Sequence, residues 1–333
     1  MQTLASFLIQ RHLRVPAPEE RLIEVAPGIK VLCHCHWQAD RAQALTIIIV
    51  HGLEGSSESQ YMLGITEKAL AAGMNVIRYN QRNCGGTDAL APVLYHSGLS
   101  NDVAEVAREI IAHDGVSRLA LVGFSMGGNI VLKLAGEWGT ENQQKAPPQF
   151  RAVAACCPAI DLAVSADTLH TPANRIYEKY FLWALRRRML HKARLFPDHF
   201  DSKRLRNIRS LREFDDKITA YHCGFTGVAD YYDRASAAHV VEQIAVPTLI
   251  LHAANDPFIR ITPETRAKIS SNPNITFIEA ADGGHCSFVG QASKSPAGAG
   301  NGNAVRGEDA DVVANYDDGY WAELQIVNFL RQF

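Results

Sequence analysis

A serine between two glycines, Gly123-Phe-Ser-Met-Gly127, is the pattern in this chain with the clearest chemical meaning. The apolar run Leu119 to Val122 before it predicts a buried strand, and a helical run from Asn129 to Trp138 follows it. A serine on a strained strand-to-helix turn is exposed as a nucleophile, and glycine at both flanking positions has no Cβ to collide with the adjoining elements. The pattern therefore predicts a nucleophile elbow at Ser125. The alternative is a turn whose serine merely caps the helix.

A serine hydroxyl is a poor nucleophile at neutral pH and needs a general base, which in turn needs a carboxylate to orient it. Of the 13 histidines, His285 alone combines a glycine-rich loop with a place after the last predicted strand, Ile275 to Glu279. Asp256 follows the apolar run Pro247 to His252 and precedes His285. We therefore predict His285 as the base and Asp256 as the orienting acid, in the chain order serine, acid, histidine.

Three other residues compete for these roles. Asp161 follows the strand after the elbow, where the acid also occurs, and is the rival of Asp256. Asp282 is only three residues before His285 in the sequence, which is too near to orient its ring comfortably. The structural alternative for Asp256 is an aspartate in a turn before proline, without a catalytic role. His51 precedes the serine and occupies the place expected for an oxyanion-binding loop.

Two backbone N–H groups should receive the oxyanion of a tetrahedral intermediate. One belongs to Met126, directly after the nucleophile, and the other to Leu53, in the loop that follows the apolar run Leu45 to Val50.

Strands and helices alternate along the chain, which predicts a mostly parallel, doubly wound α/β sheet. The remaining predicted elements of this sheet are the strands Asn75 to Tyr79 and Ala152 to Cys156, the helices Tyr61 to Ala72 and Asn101 to His113, and a strand pair, Arg21 to Val25 and Lys30 to Trp37.

The alternating pattern stops after Pro158, and no buried strand is evident from Leu162 to Thr226. We predict an inserted helical cap with its return segment at 162–244, between core segments 1–161 and 245–333. Helical runs are expected at 201–217 and 227–244. The stretch 290–312 is rich in glycine, alanine, serine and asparagine and has the composition of a mobile loop.

The central cap helix should run from Arg175 to Phe196, with apolar side chains at four-residue spacing and a basic cluster, Arg186, Arg187 and Arg188. Packing over the active site is the favoured interpretation. Peripheral contact with anionic lipid through the cap is a further hypothesis.

Composition sets further bounds. The chain has 333 residues and a net charge of -2, so its overall charge produces no electrostatic attraction for nucleic acid. No apolar run is long enough to span a bilayer.

Seven cysteines without the regular spacing of a disulfide framework predict reduced thiols and a cytoplasmic location. Cys84, Cys156 and Cys157 could be reactive thiols, but small core residues are the favoured interpretation. No cofactor and no metal is predicted: the run Cys33-His-Cys-His36 would send its cysteines and histidines to opposite faces of a strand. Oligomeric state cannot be predicted.

Several of these motifs together resemble the YheT-like branch of the α/β-hydrolases. They are His51-Gly-Leu-Glu-Gly-Ser-Ser57, Gly123-Phe-Ser-Met-Gly-Gly-Asn129, Ala253-Ala-Asn-Asp-Pro257 and Gly283-Gly-His285, with Asn80-Gln-Arg82, Phe214-Asp215 and Tyr231-Tyr232 as further matches. The resemblance implies carboxylic-ester hydrolysis with Ser125, Asp256 and His285 at the triad positions. Asn83 departs from the family, in which a glycine commonly follows the arginine.

The resemblance and the residues together predict a serine esterase or lipase-like enzyme that acts through an acyl-enzyme on short- to medium-chain esters. An acyltransferase to a small alcohol would use the same triad, because the two differ only in the nucleophile that releases the acyl group. A non-catalytic binding module on the same scaffold is the alternative from another class.

Overall fold

A computed structural model describes residues 11–139, 145–290 and 318–333. Eight strands form one sheet in the order β1-β2-β4-β3-β5-β6-β7-β8. They are β1 (Glu19–Ala26), β2 (Ile29–His36), β3 (Thr46–Val50), β4 (Asn75–Tyr79), β5 (Leu119–Phe124), β6 (Phe150–Cys156), β7 (Thr248–Ala253) and β8 (Ile275–Ala280). β1 and β2 are antiparallel to their neighbours and the other pairs are parallel, as the alternation predicted.

The strands at the centre of the sheet are buried on both faces, which explains their continuous apolar runs. The helices of the sheet domain are α1 (Gln60–Ala71), α2 (Ser100–Asp114), α3 (Met126–Gly139), α8 (Pro263–Ser271) and α9 (Trp321–Leu330). One apolar cluster fills the side of the sheet that carries α2 and α3, and a second fills the side of α1 and α9. The sequence analysis did not anticipate α8, which Thr262 caps by accepting the N–H of Thr265.

The segment between β6 and β7 contains helices and no strand. It comprises α4 (Leu162–Leu169), α5 (Arg175–Leu195), the short α6 (Leu211–Phe214), a π-helical turn (Asp215–Ala220), α7 (Val228–Ala235) and 3₁₀ turns at Pro172–Asn174, Ser202–Leu205, Ala237–His239 and Val241–Gln243. The long helix α5 agrees with its prediction.

Two helical predictions in this segment were wrong in their extent. The stretch 201–217 is broken because Asp201 and Ser210 each cap a separate start, and Asn207 between them has a left-handed φ of 60°. The stretch 227–244 is helical only to Ala235 and continues in 3₁₀ turns.

The run 33–36 lies within β2, and its side chains alternate as predicted. Cys33 and Cys35 join the apolar cluster. His34 contacts the Glu58 carboxylate and His36 contacts Arg78 on the other face. Of the predicted mobile stretch 290–312, residues 291–312 lie outside the described part of the chain.

Candidate active site

Ser125 occupies the sharp turn between β5 and α3, with a left-handed φ of 55°. For a residue with a Cβ this backbone conformation is strained and must be imposed by its surroundings. The two flanking glycines show how it is imposed. A Cβ on Gly127 would overlap the carbonyl oxygens of Val50 and His51, and one on Gly123 would overlap the carbonyl of Gly127. Both glycines are therefore required by close backbone approach.

His285 and Asp256 reach this serine from the loops that follow β8 and β7. His285 Nε2 lies 2.9 Å from Ser125 Oγ, and His285 Nδ1 lies 2.8 Å from Asp256 Oδ2. An ionised carboxylate can only accept, so the Nδ1–H donates to Asp256 and the unprotonated Nε2 can accept the serine proton. The structure thus brings the three predicted residues into one chain of hydrogen bonds.

Asp256 is fully buried, and its other oxygen accepts the N–H groups of Phe258 and Ile259 at 3.1 and 2.9 Å. Burial by itself raises the pKa of this carboxyl, but His285 and the two amide donors outweigh burial and hold the pKa below its ordinary value. The carboxylate therefore stays ionised and keeps the imidazole in one tautomer.

The three residues that competed for these roles in the sequence make other contacts. Asp161 accepts hydrogen bonds from the Thr262 N–H and the Thr265 hydroxyl, at the start of α8. Asp282 accepts the side-chain N–H of Asn255. His51 is fully buried, and burial lowers its pKa to about 4, so this ring is neutral.

His51 instead helps to hold the loop in which an oxyanion donor was predicted. Its Nδ1 lies 2.8 Å from the carbonyl of Gly52, whose own N–H donates to the Tyr61 hydroxyl. On the other side, the N–H of Glu54 donates to the Tyr95 hydroxyl. Leu53 lies between these two anchored amides, and its N–H has no acceptor among the described residues.

Met126 supplies the other predicted donor. It is the first residue of α3, and the first N–H groups of a helix have no acceptor within the helix. Leu53, Ser125 and Met126 all border the same cavity.

This cavity has a volume of about 970 Å³, including its opening to solvent, and its wall is mostly apolar. α5 forms one wall of the cavity with Phe181, Leu185 and Met189. These three residues belong to the apolar side chains at four-residue spacing that the sequence shows in this helix. Phe258 also borders the cavity and packs on the His285 ring, with 4.3 Å between ring centres.

Two sets of supporting contacts were missed by sequence reasoning. Asn255 accepts the N–H groups of Gly283 and Gly284 through Oδ1 and so fixes the His285 loop to the Asp256 loop. The sequence feature that could have indicated this role is the position of Asn255 directly before Asp256. Arg188 of α5 donates to the Glu54 carboxylate at 2.8 Å, which joins the helical segment to the loop that carries Leu53. No local pattern pairs two residues so far apart in sequence.

Asn83, the departure from the family pattern, has a left-handed φ of 61°. Asparagine tolerates this conformation better than most residues with a Cβ. Its side chain also donates to Val93 and accepts from the buried Lys192 of α5. Asn83 therefore preserves the turn that a glycine would allow.

Two groups of side chains in the described residues have donor atoms close enough to share a metal ion. They are Cys156, Cys157 and Cys286, and Cys157, Asp256 and His285. Neither includes the run Cys33-His-Cys-His36. All seven cysteines are free thiols.

Comparison with known proteins identifies the family of this chain. The model of the α/β-hydrolase fold family matches residues 46–291. The chain belongs to the α/β-hydrolase family. It is 31% identical over 297 residues to "Putative esterase YheT" of Escherichia coli, an alignment that covers 87% of this chain and 84% of the relative. The resemblance to the YheT-like branch is thereby confirmed.

Other relatives share less of their length. The chain is 28% identical to "Phospholipase ABHD3" of Mus musculus, covering 76% of this chain and 60% of that protein. It is 26% identical to "Embryogenesis-associated protein EMB8" of Picea glauca, covering 73% of this chain and 53% of that protein. The chain thus spans little more than half the length of these two relatives.

Among solved structures, 2,6-dihydroxy-pseudo-oxynicotine hydrolase superposes with a TM-score of 0.58 at 15% identity, covering 99% of this chain and 70% of that one. The Est1E protein of Butyrivibrio proteoclasticus, with ferulic acid bound, gives a TM-score of 0.52 at 16% identity, covering 80% and 91%. These similarities confirm the predicted fold. None of the helices in the described part of the chain has the length and apolar character that a membrane span requires.

The close approach at the elbow gives a first prediction. Gly127→Ala should lower kcat/KM for a p-nitrophenyl ester by about 100-fold or more, because the new Cβ must displace the end of β3 or Ser125 itself. Gly227→Ala is the matched control, since a Cβ there meets only one side-chain oxygen at 3.6 Å. Circular dichroism checks that both variants fold. Full activity in Gly127→Ala would contradict the account of the elbow.

Asp215 in the cavity wall gives a second prediction. It is buried and accepts from the hydroxyls of Tyr232 and Thr219, and burial raises its pKa to about 6. A raised carboxyl pKa stabilises the fold at low pH and loses that contribution as pH rises through the folded-state pKa. Between pH 4 and 7 the ionisation of Asp215 should lower the free energy of unfolding by about 2 kcal/mol.

Denaturant unfolding at several pH values measures this effect. Asp215→Asn should remove that part of the pH dependence, whereas Asp198→Asn, at an exposed position, should leave it unchanged. Identical pH slopes for wild type and Asp215→Asn would show that Asp215 does not titrate in this way.

Proposed function

We propose that this α/β-hydrolase is a serine carboxylic-ester hydrolase that acts through an acyl-enzyme on short- to medium-chain esters. Ester hydrolysis in general is supported by relatives named as esterases, phospholipases and monoacylglycerol lipases. The observation that carries the finer proposal is the chain of hydrogen bonds from Ser125 through His285 to Asp256, at the wall of an apolar cavity.

In the proposed reaction, Ser125 Oγ attacks the acyl carbon and gives its proton to His285 Nε2. The oxyanion accepts hydrogen bonds from the N–H groups of Leu53 and Met126. His285 then protonates the departing alkoxide, which leaves an acyl ester on Ser125. A water molecule that loses its proton to His285 attacks this ester, and the acid is released as Ser125 recovers its proton. Asp256 orients His285 throughout and stabilises its charged form.

We further propose that residues 162–244 form a cap that selects the acyl group. The wall contributed by Phe181, Leu185 and Met189 is apolar, so it favours a hydrocarbon chain over a charged group. Within this segment the buried ammonium of Lys192 donates to carbonyls of Asp88 and Ala91, which fixes α5 over the loop after β4. A cytoplasmic location stays a prediction from the sequence.

The acyltransferase alternative uses the same atoms up to the acyl-enzyme. Added ethanol in the hydrolysis reaction separates the two, because an acyltransferase yields ethyl ester faster than the ethanol-to-water ratio alone would give. A non-catalytic module would form neither product.

A series of p-nitrophenyl esters of increasing acyl length tests the proposal. We expect a rate optimum at short to medium acyl length and a loss of roughly 10⁴-fold in kcat/KM for Ser125→Ala. Asp256→Asn should lose a similar factor because the imidazole tautomer is no longer fixed, whereas Asp161→Asn should lose much less. Flat rates that do not depend on Ser125 would refute the esterase assignment.

One specific observation favours membrane contact as a second property. The outward face of α5 exposes Ile176, Tyr180, Trp183, Arg187, Leu190 and Arg194. Their spacing of three or four residues places them on one stripe of the helix, opposite the residues that line the cavity. An exposed stripe of apolar, aromatic and basic side chains suits the interface of an anionic bilayer.

The structure also shows which arginines can take part. Arg186 donates to the Ile208 carbonyl and Arg188 donates to Glu54, so both are engaged within the protein. Arg187 is exposed and lies 5.7 Å from the centre of the Trp183 ring. The contact hypothesis therefore rests on Arg187 and Trp183 rather than on the whole cluster.

Sedimentation with vesicles that contain phosphatidylglycerol tests this contact. The pair Trp183→Ala and Arg187→Gln should weaken binding by at least about tenfold, since one basic residue at an anionic surface contributes roughly 1 kcal/mol. The control is the pair Tyr221→Ala and Arg204→Gln, another exposed aromatic ring with a stacked arginine. Equal binding by both double variants would remove the hypothesis.

A further inference from the structure

Three thiols converge beside the Ser125–His285–Asp256 chain, although two of them are far from the third in sequence. Cys156 ends β6, Cys157 follows it, and Cys286 comes directly after His285. Their three Sγ atoms all lie within 4.8 Å of one another. The Cys286 thiol also donates to the Cys156 carbonyl, at 3.5 Å. We call these three residues the thiol cluster.

The backbone explains how neighbours in one strand can share a cluster. Successive side chains of a strand point to opposite faces, so Cys156 and Cys157 should diverge. Cys157 instead has a left-handed φ of 43°, which ends the extended backbone and redirects its side chain. Cys286 has a left-handed φ of 59°. Such conformations cost roughly 1–3 kcal/mol each for residues with a Cβ, and they concentrate at functional sites.

The thiol cluster touches the hydrogen-bond chain directly. Cys286 Sγ lies 4.0 Å from His285 Nε2, the atom that faces the Ser125 hydroxyl. Cys157 Sγ, a carboxylate oxygen of Asp256 and a ring nitrogen of His285 likewise lie within 4.8 Å of one another. Cys286 therefore brings the edge of the thiol cluster next to the proposed catalytic base.

We propose that the thiol cluster binds one soft divalent cation of the Zn²⁺ or Cd²⁺ class, with His285 Nε2 as the fourth ligand. Three sulfurs and one imidazole nitrogen form a tetrahedral set that such ions prefer. With metal–sulfur bonds of about 2.3 Å, the sulfurs of a tetrahedral site lie about 3.8 Å apart, so the cluster closes by up to about 1 Å.

Proton balance shapes this binding. Each cysteine releases its thiol proton to solvent as its sulfur–metal bond forms, and the neutral histidine contributes a lone pair. The Nε2 lone pair can then no longer accept the proton of Ser125, so the bound cation inhibits the proposed hydrolysis. Metal affinity should increase with pH, because protons compete with the cation for the three sulfurs.

The same arrangement of thiols could also suggest a redox function, but cation binding explains it better. Attack on a peroxide needs a thiolate, and the raised pKa of each buried thiol keeps it protonated. A soft cation overcomes that barrier by replacing the proton with a metal–sulfur bond.

Titration of the reduced, metal-free protein with Cd²⁺ tests the site without any assay of activity. We expect one ion per chain and an ultraviolet sulfur-to-cadmium charge-transfer band. Cys157→Ser and Cys286→Ser should each weaken binding by at least roughly 100-fold, the upper range for loss of a mere outer-shell partner. Cys84→Ser and Cys223→Ser are matched controls, because Cys84 is buried and Cys223 half-buried away from the cluster. Circular dichroism checks each fold.

The role of His285 has its own readouts. His285→Ala should keep the charge-transfer band of three thiolates but bind Cd²⁺ more weakly. Saturation of wild type should block fluorophosphonate labelling with the same midpoint as binding, a test that rests on the proposed function, whereas the titration does not. Absence of the band in wild type, equal affinity in wild type and Cys286→Ser, or undiminished labelling of the saturated protein would overturn the proposal.

Discussion

The close packing of backbone against backbone at the elbow is the constraint on which the site depends. Gly127 lies so near the end of β3 that a single Cβ would overlap two carbonyl oxygens. This contact holds Ser125 in a left-handed conformation and places the start of α3, with the Met126 N–H, beside the loop that carries Leu53. One close approach thereby positions the proposed nucleophile and both proposed oxyanion donors, and the parallel sheet supplies the rigid frame that supports them.

Around the elbow, hydrogen bonds from several side chains hold the loops that carry the other residues of the site. Asn255 joins the two loops that carry the acid and the base. Tyr61 and Tyr95 secure the amides on either side of Leu53. Arg188 extends the same network into α5 through Glu54. The helical segment that we propose as the cap is therefore physically connected to the loop that carries Leu53.

Much of the site could be predicted because local patterns carry it. A buried strand, a turn and a helix in sequence define the elbow, and the ends of parallel strands meet at one edge of a sheet, which brings Asp256 and His285 together. The break in the helical stretch 201–217 could not be predicted, since it depends on caps and on one left-handed asparagine. The convergence of Cys156, Cys157 and Cys286 was equally hidden, because it depends on two φ angles that residue types alone do not specify.

The central claim is that Ser125 is an activated nucleophile, and covalent labelling with a fluorophosphonate followed by peptide mapping tests it most directly. The account predicts one adduct per chain, on Ser125, absent in Ser125→Ala and formed far more slowly in His285→Ala. A folded wild-type protein that remains unlabelled under conditions that label another serine hydrolase would contradict it, as would labelling of Ser125 at the same rate without His285.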